Sequence, residues 1–164
     1  AVLQRAGEAV SPDVETLLMF AARGIHLDNL VRPALARGEW VLCDRFTDAT
    51  RAYQGAGRGV DAAWIEALAH QVHAGLEPDL TLLLDLPVEV GLARASRRRG
   101  AAGEAVDRFE SETVAFFTRV RARYLEIARQ CPDRVRVIDA TAPPEAVRAA
   151  AIAALRDLPG GPAG

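Results

Sequence analysis

The run Leu80-Thr81-Leu82-Leu83-Leu84-Asp85-Leu86 constrains the fold more than any other stretch of the chain. It is continuously apolar, bounded by the turn Leu76-Glu77-Pro78-Asp79 on one side and Pro87 on the other. Such a pattern predicts a strand of a parallel sheet, covered on both faces. Pro87-Val88-Glu89-Val90 then opens a helix that leads to Ala93, Arg94, Ala95 and Ser96. Trp40-Val41-Leu42-Cys43 reads as a second short buried strand, and Val135 to Ala140 as the last one. Strand, turn and helix alternate, so the fold class is α/β with a parallel sheet flanked by helices.

The helices follow from start signals and spacing. The first residues, Ala1 to Val10, resemble the tail of a helix ending near Gly7. Ser11-Pro12-Asp13-Val14-Glu15 is a helix start, with proline just inside and acidic residues in the first turn. Thr16 to Ala22 is densely apolar and is expected to be buried on most sides, interrupted by Arg23 and His26. Phe20 and Arg23 lie three apart and share a face; core packing and a surface cation are the plain readings, a ring and guanidinium gripping a planar ligand the functional one. Asp28 to Leu35 continues as helix with Pro33 as a kink or restart, and Gly38 ends it. Val60 to Gly75 follows, with Asp61 as N-cap and Trp64, Leu68 and Val72 on a packing face. His70 and His73 share this helix but have no third ligand near in sequence, so a metal pair has little support. Glu112 to Gln130 is a long helix with Val114, Phe117, Val120, Tyr124 and Ile127 inward and Phe116 widening the face. Pro144-Glu145 opens the final helix to Leu155. Residues 1–158 are expected to form a single domain, and residues 159–164 a disordered tail.

Composition narrows the function classes. The chain has 164 residues, half of them hydrophobic, and a formal net charge of −2. That is enough for one real core, and it disfavours a general nucleic-acid surface, which would show a basic excess. The two cysteines, Cys43 and Cys131, do not make a disulfide framework, and the three histidines are not clustered with them. No eighteen-residue apolar run and no signal peptide is present, so a cytoplasmic protein without membrane association is expected.

The chemistry is concentrated after the Trp40 run. Asp44 and Arg45 would stand at the carboxyl end of a strand, where open α/β sheets hold ligands, and the pair suits phosphate near a metal ion. An ion pair capping the strand end is the bland alternative. Thr47, Asp48, Thr50, Arg51, Tyr53 and Gln54 continue as a polar loop, and Gly55, Gly57 and Gly59 alternate around Arg58. Arginines suit phosphate, Gln54 can pair with a base edge, and Tyr53 can stack or hydrogen-bond. The glycines permit positive φ and close backbone approach. This is not a dinucleotide fingerprint, because G-x-G-x-x-G is absent. Further on, Arg94 and Arg97-Arg98-Arg99 meet Gly100, Ala101, Ala102 and Gly103 at a helix end. The cluster is either a solvated surface or, in a phosphoryl-transfer enzyme, a lid over the triphosphate.

The stretch D-R-F-T-D-A-T-R-A-Y-Q-G-A-G-R-G closely resembles the deoxythymidine-monophosphate (dTMP) motif of bacterial thymidylate kinases, and the resemblance runs from about residue 2 to residue 155. It implies a P-loop nucleoside-monophosphate-kinase-like sheet, and transfer of the ATP γ-phosphoryl group to dTMP with Mg2+ as cofactor. L-L-M-F-A-A-R looks like the family helix whose Phe stacks on thymine and whose Arg binds the nucleotide. By the resemblance, Phe20, Arg23, Thr50, Tyr53 and Gln54 hold base and sugar, with Tyr53 crowding a ribose 2′-hydroxyl. Arg45, with Arg51 as a further candidate, holds the acceptor phosphate. Asp44 orients phosphate or magnesium-bound water. R-x-x-R-R-R-G followed by Asp107-Arg108-Phe109-Glu110 looks like the family lid, residues 94–110, lengthened here by Ala101 to Val106. Arg97, Arg98 and Arg99 are its catalytic candidates, and Arg94, Arg98, Arg108 and the backbone near Ala140 are candidates for the ATP side. The family is typically homodimeric.

The family's G-x-x-x-x-G-K-[ST] phosphate loop is not found at any glycine of this chain, and Gly55 to Gly59 cannot substitute for it. The expectation is therefore a carboxy-terminal portion of an ordinary kinase, inactive by itself, with the phosphate-loop segment cleaved, disordered or lying outside these residues. Two alternatives remain: a remnant that binds nucleotide without catalysis, and a kinase for another nucleoside monophosphate.

Overall fold

Two of the helices begin where a side chain satisfies an otherwise orphaned amide. In this computed structural model, which describes residues 9–102, 114–156 and 158, with only the backbone of 98–102, helix α1 spans Pro12–His26. Ser11 caps it by accepting from the Val14 amide at 3.3 Å, and Pro12 occupies the first turn, where no amide donor is needed. Helix α4, Ala62–His73, is capped in the same way by Asp61, which accepts from the Trp64 amide at 2.8 Å.

The chain divides into two compact units, residues 1–77 and 78–164, where the sequence reads as one domain. In the first unit, α1 packs on α4, and its core is Phe20, Val60, Ile65 and Ala69 with Trp64, Leu68 and Val72 against them. Gly24 lets the two helices close: a Cβ there would lie 3.2 Å from Val72 Cγ1. The apolar run of α1 is buried on one face only. Thr16 and Phe20 are buried one turn apart, whereas Leu17 is 46% exposed, since a helix flanked on one side hides a single stripe. Leu27–Val31 is a π-helical turn that leads into α2, Arg32–Ala36, with Pro33 in its first turn. Gly38, at φ 75°, ends that segment as expected.

The Trp40 run is not a strand. Residues 39–43 lie outside any regular element, and Leu42 is 98% exposed. An apolar strand is held by a backbone ladder, and among the described residues nothing pairs with this one. The chain then forms two short helical pieces, α3 (Thr47–Thr50) and a second π-helical turn (Arg51–Gly57).

In the second unit, β1 (Thr81–Asp85) and β2 (Val135–Asp139) pair in parallel, from Thr81 opposite Val135 to Asp85 opposite Asp139. Between them come α5 (Val88–Ala102) and α6 (Val114–Gln130), and α7 (Pro144–Arg156) follows. The parallel sheet of the sequence reading is present, but β1 is not covered on both faces, because Leu84 is 51% exposed. Helix α5 also runs on through Gly100, Ala101 and Ala102, which the sequence places beyond its end. On α6 the buried face is Phe116, Val120, Ile127 and Ala128, while Val114 is 47% exposed. Phe116 rather than Phe117 points inward, and the two rings meet edge to face at 5.1 Å. Ile127, Ala128 and Val135 form a small core with Leu83 and Cys131. No helix among the described residues is long and apolar enough to cross a membrane.

Candidate nucleotide site

The polar run after Arg45 is helical, not a loop, and helicity is what concentrates its side chains. Thr47, Asp48, Ala49 and Thr50 are all buried, and the wider π turn carries Ala52, Gln54 and Gly57 inward. Of the three alternating glycines only Gly59 takes a positive φ, 79°. Gly55 serves close approach instead: a Cβ on it would meet Ile65 Cδ1 at 3.3 Å.

Arg23 is the centre of this region. Its Nη2 donates to Thr50 Oγ1 at 3.0 Å and to the Phe46 carbonyl at 3.4 Å. Its guanidinium lies 5.1 Å from the Phe20 ring centroid and 5.3 Å from that of Phe46. No carboxylate pairs with it, and its buried Nη1 has no partner among the described residues. Burial accordingly lowers its affinity for the proton, with Cys43 acting in the opposite direction. A guanidinium held charged without a counter-ion is a receptor for a ligand acceptor atom.

The other expected residues are distributed unevenly around it. Phe20 is 1% exposed and packed in the core, with the Arg23 guanidinium and the His73 ring as its polar neighbours. Asp44 and Arg45 are exposed. Arg45 adopts φ 70°, costly for a residue with a Cβ, and lies 5.1 Å from the Tyr53 ring centroid. Gln54 is 3% exposed; its Nε2 donates to Glu15 at 2.9 Å, and its buried Oε1 has no partner among the described residues. It therefore offers an unused acceptor.

Arg51, expected beside the acceptor phosphate, is engaged elsewhere. It donates to Glu66 through Nε and Nη2 at 2.8 Å each and to Asp48 at 2.9 Å, and Glu77 lies at 3.6 Å. Its hydrogen bonds to Glu66, with Asp48 and Glu77 adding to them, raise its already high pKa further. All of its strong donor directions are taken by carboxylates, so the positive charge is neutralised in place.

His73 was not legible as part of this region. It is 2% exposed, with its ring 5.4 Å from Phe20 and 4.7 Å from Phe46, and Nδ1 lies 3.1 Å from Thr47 Oγ1. Arg32 donates to its carbonyl at 2.6 Å. Burial, then the charges of Arg23, Arg51 and Arg32, lower its pKa to about 4, with Glu66 acting weakly against them. The sequence showed only a histidine at a helix end; the surrounding cations come from three other segments. Because the folded pKa lies below the ordinary value of about 6.5, stability is full above that range and falls as the unfolded chain takes up the proton first. Acidification from pH 7 to pH 4 should cost on the order of 2–3 kcal/mol through this group. Urea unfolding at both pH values should show that loss, and His73→Phe should remove most of it.

In the second unit, Arg94 and Ala140, two candidates for the ATP side, are in direct contact: Arg94 Nη1 donates to the Ala140 carbonyl at 2.8 Å. Arg97 is exposed on α5. The side chains of Arg98 and Arg99, and all of Arg108, lie outside the described residues, as does most of the expected lid. Asp85 and Arg121 were also missed. They form a two-pronged ion pair, Nε to Oδ1 at 2.7 Å and Nη2 to Oδ2 at 2.8 Å. The alternating Arg119, Arg121 and Arg123 on α6 were the available signal.

Among the described residues no cluster of three or more metal-binding side chains occurs. Asp44 is an exposed carboxylate oxygen donor with no ion pair or hydrogen bond among them. That fits the way Mg2+ is held by one carboxylate, water and phosphate oxygens rather than by a protein cage.

The thymidylate kinase family model matches residues 1–151. The chain is 54% identical over 147 residues to the thymidylate kinase of Alcanivorax borkumensis, covering 90% of this chain and 68% of that protein. It is 58% identical over 139 residues to that of Pseudomonas syringae pv. syringae, covering 85% of this chain and 64% of the relative. The crystal structure of thymidylate kinase from Ehrlichia chaffeensis superposes with a TM-score of 0.68 at 28% identity, covering 92% of this chain and 67% of that one. The chain thus spans about two thirds of the length of these relatives. With the family model matched over residues 1–151 and identity above half, the chain belongs to the thymidylate kinase family.

Proposed function

We propose that this protein transfers the γ-phosphoryl group of ATP to dTMP, giving dTDP and ADP for dTTP synthesis. The observation that carries the reading is Arg23: a half-buried guanidinium, fixed by Thr50 and the Phe46 carbonyl, with no partner for Nη1 and no counter-ion among the described residues. It offers a donor, and Gln54 Oε1 offers an acceptor. A pyrimidine with a carbonyl edge and an N–H group needs both. Tyr53 supplies an apolar wall of the base and sugar site, and Phe20, packed in the core, backs the Arg23 guanidinium that meets the base. Arg45, exposed beside Tyr53, binds the acceptor phosphate.

No protein nucleophile is required, because direct phosphoryl transfer is carried by positioning and charge stabilisation. Asp44 holds Mg2+ directly or through water; when bound, the ion neutralises charge on the phosphate oxygens. Arg97, Arg98 and Arg99 stabilise the transferring group, while Arg94, Arg108 and the backbone at Ala140 serve the ATP side. The protein works as a cytoplasmic homodimer.

The test is ADP release by the full-length protein with dTMP, uridine, cytidine and guanosine monophosphates in parallel. We expect kcat/KM for dTMP to exceed the others by about tenfold or more, because a site that hydrogen-bonds a base edge rejects mismatched edges strongly. Equal rates would point to a broader nucleoside-monophosphate kinase. No stimulation by any of them would overturn the reading.

A further inference from the structure

In the second unit three elements meet at the carboxyl end of the two strands. The Ala140 amide donates to the Asp85 carbonyl at 2.8 Å, extending the parallel ladder one residue past β2. The Ala140 carbonyl accepts from Arg94 of α5 at 2.8 Å. The Asp85 carboxylate accepts both prongs of Arg121 of α6, at 2.7 and 2.8 Å. Two helices are thus tied, each by one arginine, to the same pair of adjoining backbone residues.

We infer that Arg121, acting through Asp85, is a positioning residue for the nucleotide donor: it fixes the strand end on which Ala140 and Arg94 are placed. This rests on the kinase reading above, which puts Arg94 and Ala140 on the ATP side. The geometry of the pair favours a positioning role over a direct one. The contact is side-on and two-pronged: Arg121 has its Nε and Nη2 on the carboxylate, and Asp85 has both oxygens on the guanidinium. Each group thus spends a two-pronged contact, and most of its charge, on the other rather than on a phosphate or a metal ion. The Asp85 side chain is only 19% exposed and lies near Asp139, so the carboxylate is stable there because the guanidinium faces it. Without Arg121, Asp85 would turn toward solvent and pull on the carbonyl that anchors Ala140. Displacing the Ala140 carbonyl frees Arg94 as well. A lysine could supply the charge but not the planar two-pronged contact.

The experiment compares wild type, Arg121→Gln, Arg121→Lys, Asp85→Asn and the double variant, all as full-length protein. Steady-state kinetics are measured with each substrate varied, dTMP binding is measured alone by calorimetry, and amide exchange is followed over residues 88–97 and 138–143. We expect each single variant to lower kcat/KM for ATP by about tenfold or more, as small displacements near a reacting centre do. The double variant should be no worse than either single one, since both remove one interaction. Binding of dTMP should stay within about twofold of wild type, and exchange should rise in residues 88–97 and 138–143. Because exchange needs no turnover, it reads the clamp even if the reaction class is wrong: an inactive wild type with raised exchange in the variants would overturn the kinase reading and the donor role, leaving a structural clamp. Unchanged ATP kinetics in an active enzyme, or ATP and dTMP constants falling together with the folded fraction, would overturn the positioning role. If Arg121→Gln does not fold, Arg121→Lys and Asp85→Asn carry the same comparison.

Discussion

Replacing Arg45 by alanine should lower dTMP-dependent ADP release by about a hundredfold or more while leaving the melting temperature within a few degrees of wild type. The large first effect follows from its proposed role: a guanidinium on the acceptor phosphate offsets charge that grows as the phosphoryl group moves. The small second effect follows from its setting. Arg45 is exposed, and among the described residues its side chain lies over the face of Tyr53 at 5.1 Å. Its φ of 70° sharpens the expectation, because a left-handed backbone at a non-glycine residue is held by its surroundings and opposes folding locally. Arg45→Gly should therefore fold at least as well as Arg45→Ala and be equally impaired. Near-normal kinetics in either variant would remove Arg45 from the phosphate site.

Arg51→Gln should do the reverse. Asp48 has only 8% of its side chain exposed, and Arg51 is its cation at 2.9 Å. Removing one partner of such a buried pair strips the carboxylate of this cation and should cost on the order of 2–3 kcal/mol of stability. Glu66 and Glu77 are half-exposed, so water screens most of what they would lose. Urea unfolding should show the loss, and dTMP affinity per folded molecule should change by less than about threefold. A tenfold weaker dTMP affinity with unchanged stability would instead return Arg51 to the phosphate.

These two arginines show where sequence reasoning reached and where it stopped. Both stand in the same motif, six residues apart, with the same chemistry, and both are sensible phosphate ligands on paper. What separates them is Glu66, fifteen residues from Arg51 on α4, together with Glu77 beyond that helix. No spacing rule within a helical turn reaches that far. Arg94 and Ala140, by contrast, were assigned to one functional side and do touch, across 46 residues, because βα units return the chain to the same sheet end. The Trp40 run failed for another reason: hydrophobicity marks a segment that can join a sheet, but a strand exists only with a neighbour.

The sequence alone determined the features that act within a few residues: the Ser11 and Asp61 caps, the proline-started helices, the parallel pair around Leu83, and the motif that carries family membership. Tertiary structure decided which charges are free. It committed Arg51 to three carboxylates, left Arg23 without any among the described residues, enclosed His73 among cations where it stays neutral, and joined Asp85 to Arg121 across 36 residues. The division is physical. Caps and periodicity depend on contacts one turn apart, whereas the availability of a charge depends on every segment that folding brings within a few ångströms of it.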